Sequence, residues 1–248
     1  MRGSAESRLE ELRREVLRDV PREVRPAVKR ASGTAKRTRR LTWRTALLWL
    51  GTATAVVALP FVVYVRASVW LYLQAGLSPW LAVAGAACIT LGIAAGYAAW
   101  LSRAFSGKAR VARVARWVAL PLAVAWCGYS ALYLSRVNAK SEDVRSYYGA
   151  VHPVLRVALA TAILGDPGVV VTDMRRVPAD YARMGLPEYE RTKHYRQADG
   201  WVHAADLRTI GRSELRNRAL QLYFWAMGFS TLRHVGTADH LHVQIAPR

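Results

Sequence analysis

Cysteine is nearly absent from this chain. The two present, Cys88 and Cys127, both lie inside apolar runs, so the C-terminal part has no disulfide to staple it and no thiolate for catalysis or metal binding. Acidic residues are also scarce: 17 Asp and Glu stand against 36 Lys and Arg, a net charge of +19. Yet 52% of the residues are hydrophobic, and one soluble domain does not combine the two, so basic and apolar residues must be segregated. Histidine is missing from the first 151 residues. No apolar core follows the first few residues, which argues against a cleavable signal peptide, and no internal repeat of useful length is seen.

Charge is wholly missing from three long runs: "ALLWLGTATAVVALPFVVYV" (46–65), "PWLAVAGAACITLGIAAGYAAWL" (79–101) and "WVALPLAVAWCGYSALYLS" (117–135). Each approaches the roughly 20 residues that cross a ~30 Å hydrocarbon core, and tryptophans stand near their ends, where headgroups hold amphipathic rings. The N-terminal segment and the loop after the second run are rich in Arg and Lys, whereas the first loop has only Arg66. By the positive-inside rule the N-terminus is cytoplasmic and everything beyond the third span lies outside. The basic excess flanks the spans and is interspersed with Glu at the N-terminus, which points to membrane lipids as partners and away from nucleic acid. The expected fold class is a multi-span α-helical membrane region with three transmembrane helices, followed by a small α+β domain. Residues 1–43 form the basic cytoplasmic segment, 44–136 the membrane region and 137–248 the extracytoplasmic domain.

In that last part, residues 154–165 read as an amphipathic or buried helix too short to span, and "VVVTDM" (169–174) as a strand. A long polar loop follows, with Glu188 and Glu190 exposed on it. Ser213 caps a helix whose Leu215, Ala219, Leu222 and Ala226 share one face, and "FSTLRHV" and "LHVQIA" read as strands. All six histidines fall here. His152 reads as a solvated linker residue before Pro153, Trp201 as a buried aromatic, and His234 as either a surface or a hydrogen-bonding residue. His240 and His242 share a strand face, because side chains alternate with period two. Clustered imidazoles with nearby Asp are the raw material of a zinc site with three protein ligands and an open fourth position.

The order "VVVTDMRR", "HAADLRT", a helix ending in "MGF", then "DHLHV" resembles the zinc peptidases of the M15 group, the D-Ala-D-Ala carboxypeptidase, dipeptidase and L-alanyl-D-glutamate endolysin type, which share their fold with the hedgehog signalling domain. The resemblance implies a Zn²⁺ held by Asp206, His242 and one further ligand, with Asp239 as general base, His240 beside the reacting carbonyl or behind the metal ligands, and Arg176 on a substrate carboxylate. It implies peptidoglycan stem peptides as substrates. The family's first histidine falls on Asp199, a departure with three solutions: His194 with "RQADG" as a loop insertion, which the histidine-bearing "TKHY" favours; His203; or Asp199 itself. An inactive domain of the same fold that binds cell wall or a protein partner is the alternative to a peptidase.

Overall fold

The computed structural model describes residues 43–106, 111–185, 187, 191–236 and 239–246, with Arg8, Glu11, Leu12 and Glu15. The N-terminal segment otherwise lies outside the described residues, as do Glu188 and Glu190. The chain divides into two units, Met1–Thr52 and Ala53–Arg248, and the candidate site lies in the second.

Two helices are long and apolar enough to cross a membrane, α1 (Trp43–Leu73) and α2 (Pro79–Ser106). Exposed Leu47, Leu48, Trp49 and Val57 on α1 would be costly in water and suit lipid. At 1.5 Å per residue the 31 residues of α1 extend about 46 Å, well beyond a ~30 Å hydrocarbon core. The last turns pack one side against protein: Tyr64, Val65, Val69 and Tyr72 are buried in a core shared with the C-terminal part. Arg66 is therefore a helical residue and not a loop residue, and its guanidinium donates to the Met227 carbonyl (3.4 Å).

The third apolar run is an interrupted helix: an α-turn at Val111–Val114, π-geometry at Ala115–Ala119, then α3 (Leu120–Leu132). Pro121 is the cause, since it lacks the N–H that would close the preceding turn and its ring crowds that turn's carbonyl. The 13 residues of α3 reach only about 20 Å. Among the described residues two helices are thus long and apolar enough to cross a membrane, where the sequence led to an expectation of three.

Beyond α3 come a short α4 (Glu142–Ser146), α5 (Pro153–Gly165), β1 (Val171–Asp173), α6 (Pro178–Met184), β2 (Ala204–Arg208), α7 (Glu214–Met227), β3 (Ser230–His234) and β4 (His240–Gln244). The strands form one antiparallel sheet in the order β1-β2-β4-β3. β2 and the short α6 fall in what the sequence reading left as loop. One sheet face, with Ala205, Leu207, Leu241 and Val243, joins the core, where α5 is buried along nearly its whole length. This core also contains Leu134 and the ends of α1 and α2, so it runs across the boundary expected near residue 136.

The packing face of α7 differs from the expected one. Asn217, Leu220, Phe224 and Met227 are buried, whereas Leu215, Ala219, Leu222 and Ala226 form the exposed side. Helical spacing alone identifies a stripe; which of two apolar stripes is covered depends on what lies beneath. Gly228 ends the helix at φ +98°, and a Cβ there would come within 2.6 Å of Arg66 Nη1. Gly228→Ala is expected to cost about 1–2 kcal/mol from backbone strain, with a further loss from displacing Arg66, read as a lower melting temperature of the detergent-solubilised chain.

Candidate metal centre

The second face of the sheet is open and carries the polar residues of alternate positions. Register sets the geometry: Asp206 on β2 lies directly opposite His242 on β4, and His240 opposite His234 on β3. The loop before β2 supplies the third group. Arg176 N donates to the His194 carbonyl (3.0 Å), fixing that segment to the chain just beyond β1. Residues 196–202 then turn back on themselves, with Gln197 N on the Trp201 carbonyl (2.8 Å) and Gly200 at φ +82°. "RQADG" thus forms a local turn and leaves His194 at the sheet.

Three donor atoms converge. His194 Nε2 lies 3.2 Å from Asp206 Oδ1, His242 Nδ1 lies 2.8 Å from the same oxygen, and the two ring nitrogens are 3.3 Å apart. Ligands of a tetrahedral ion at ~2.0–2.1 Å are about 3.3 Å from one another, close to two sides of the triangle, while the 2.8 Å side is about 0.5 Å shorter. Each ligand is also held from behind. His194 Nδ1 donates to the Met174 carbonyl (2.5 Å), which leaves Nε2 as the lone-pair nitrogen. His242 Nε2 donates to Gln244 Oε1 (3.2 Å), leaving Nδ1. Arg176 Nη2 donates to Asp206 Oδ2 (2.8 Å), leaving Oδ1. Outer hydrogen bonds that select tautomer and orientation in this way are characteristic of metal-binding histidine and carboxylate.

Burial of Asp206 acts to raise its carboxyl pKa, but hydrogen bonds and charge from His194 and His242 prevail and hold it far below the ordinary carboxylate range. Burial acts to depress His242, and the Asp206 carboxylate outweighs it and raises the imidazole. The donor set fits a borderline divalent ion such as zinc: two imidazoles and one ionised carboxylate.

The other expected residues line the same cleft, of about 1080 Å³, in different states. His240 Nε2 lies 3.8 Å from Asp206 Oδ2, and its ring stacks on His234 at 4.5 Å. Burial first, and then His240, depress His234 below the usual imidazole value. Arg176 is engaged by two carboxylates, Asp173 (2.5 Å) and Asp206. Asp239, just before β4, accepts from Arg233 Nε (2.7 Å) and Nη2 (2.8 Å) and from Thr209 (2.6 Å). These contacts, Arg233 foremost, bring its pKa down to about 2.

Asp199 and His203 do not approach this triangle. They gather with His152 in a second group. His152 is fully buried, not a solvated linker residue, because the chain before Pro153 is drawn in by its N–H bond to the Val202 carbonyl (2.8 Å). Trp201 is half-buried, edge-on to Trp80. Gln244 escaped the sequence reading, although period-two alternation from His242 places it on the site face. Comparison with protein-family models, with curated proteins and with solved structures finds no match.

Proposed function

We propose that this protein is a membrane-anchored, zinc-dependent peptidase that cuts or trims peptidoglycan stem peptides. The observation that carries the reading is the convergence of His194 Nε2, Asp206 Oδ1 and His242 Nδ1 within 3.3 Å, each oriented from behind. An ion held there supplies Lewis-acid polarisation of a peptide carbonyl and activation of water. The chain's own residues do the rest. Asp239, ionised and at the cleft rim, is placed to accept a proton, and His240 to donate to the developing oxyanion. Lys140, Arg176, Arg191, Lys193 and Arg208 line the cleft and make it cationic, which favours a substrate bearing carboxylates. The test is zinc content together with chelator-sensitive hydrolysis of a D-amino-acid stem peptide by the full chain in detergent. A metal-free, folded and inactive protein would remove the reading.

A specific observation favours a second reading, an inactive domain that binds cell wall or a protein partner. Asp239 and Arg176, the two groups meant to meet the reactants, are both engaged in ion pairs. The same assay separates them, because a binder retains affinity for stem peptide without turnover.

The proposed topology places three spans in the membrane, the interrupted third included, with the N-terminus cytoplasmic and the cleft outside. A periplasmic-type reporter fused after Arg248 is expected to be active and one inserted near Gly107 silent. The opposite pattern would put the cleft in the cytoplasm and remove peptidoglycan as substrate.

A further inference from the structure

The second histidine group lies on the other side of β2 from the first. His203 precedes Asp206 by three positions, an odd spacing that sends extended-chain side chains to opposite faces, and it does not line the cleft. His203 and His152 are both fully buried, with ring centroids 4.8 Å apart. His203 Nδ1 lies 3.3 Å from the Ile245 carbonyl, and Nε2 lies 2.9 and 3.1 Å from the two oxygens of Asp199. Both neighbours can only accept. A neutral imidazole has one N–H and leaves one of these two contacts without a proton, which a cation between Nε2 and the carboxylate would resolve.

Geometry favours the cation. One donor atom from each of His152, Asp199 and His203 lies within 4.8 Å of the others. Ligands around an ion at ~2.1 Å are separated by about 3.3 Å, so ring and carboxylate adjustments of up to about 1.5 Å would close the set. The backbone beneath is already fixed: His152 N donates to the Val202 carbonyl (2.8 Å), His203 N to the Lys193 carbonyl (3.0 Å) and Ile245 N to the His203 carbonyl (2.9 Å). Tyr72, from the end of α1, covers His152 at 4.4 Å and donates to Asp199 Oδ2 (3.5 Å), orienting the carboxylate as an outer-shell partner does.

We infer that His152, Asp199 and His203 form a second divalent-metal site of zinc-type chemistry, structural in role, separate from the cleft and independent of any peptidase activity. It ties three stretches that are distant in sequence: the linker entering α5, the turn entering β2, and the end of α1 through Tyr72. Asp199 is the solvent-facing ligand through which the ion enters.

The test is a Co²⁺ titration of the metal-stripped full chain in detergent, followed by visible absorption and elemental analysis, with melting temperatures for each form. The wild type is expected to bind two equivalents. Asp206→Ala/His242→Ala should retain one, whose removal by chelator still lowers the melting temperature. Asp199→Asn/His203→Gln should also retain one. A single equivalent abolished by Asp206→Ala/His242→Ala overturns the second site, a result that does not depend on the Asp199 variant folding. A single equivalent abolished only in Asp199→Asn/His203→Gln supports the second site and refutes the one in the cleft. No binding at all overturns both.

Discussion

Asp206→Asn is expected to empty the cleft of zinc and to lower stem-peptide hydrolysis by about 10⁴-fold or more, because activation of water lowers its pKa from about 15.7 toward 7 and that gain disappears with the ion. Shape is conserved in this substitution and charge is not. Asp206 is 3% exposed and uses both oxygens, one accepting from Arg176 and the other facing the two imidazole nitrogens. An amide must turn an NH₂ toward one of them. If it faces Arg176, two donors meet in a buried place. If it faces His194 and His242, the ligand oxygen is gone. Arg176 keeps Asp173, so the loss of stability should be moderate, about 2–3 kcal/mol. The sign of its pH dependence is fixed. The folded carboxyl sits below its unfolded value, so its contribution is present above about pH 4 and is lost as pH falls through the depressed folded value. The difference in melting temperature between metal-free wild type and variant should therefore narrow in acid. A zinc content in Asp206→Asn equal to that of the wild type would show that the ligand set is misassigned.

What could be read from the sequence follows from which interactions are local. Uncharged runs, a capping serine and a two-residue alternation are written into adjacent residues, so α1, α2, α7, β4 and the shared face of His240 and His242 were legible. β2 was not. Ala204, Ala205, Asp206 and Leu207 are all buried in this central strand, so no alternation marks it, and alanine is a weak strand former. The choice among His194, Asp199 and His203 was legible only through the resemblance of "TKHY", since it turns on how residues 193–203 fold back, through the turn from Gln197 to Trp201 and the docking of His194 on Arg176 N. The burial of His152 depends on a hydrogen bond to a residue 50 positions away. The exposed early turns of α1 and its buried last turns are both largely apolar, so hydrophobicity alone does not separate them.

The sharpest separation of ligand from base concerns Asp239. If it is the proton acceptor, Asp239→Asn should leave zinc content unchanged while hydrolysis falls by roughly 10²–10⁴-fold, the usual consequence of losing a positioned base. Its surroundings complicate the role in a way that can be measured. A carboxylate held at about pKa 2 by Arg233 and Thr209 is ionised throughout the working range, so it sets no acidic limb of the pH profile between 5 and 8, but it is also a weak base. Arg233 must loosen for the proton to be taken. Arg233→Met should therefore raise the pKa of Asp239 and retain or improve turnover, whereas Asp239→Asn destroys it. A structural staple between β3 and the approach to β4 would behave otherwise: either substitution would break the same pair, lower the melting temperature by a similar amount and leave turnover per folded molecule unchanged. Equal effects of the two substitutions would remove Asp239 from the chemistry, and loss of zinc in Asp239→Asn would make it a ligand.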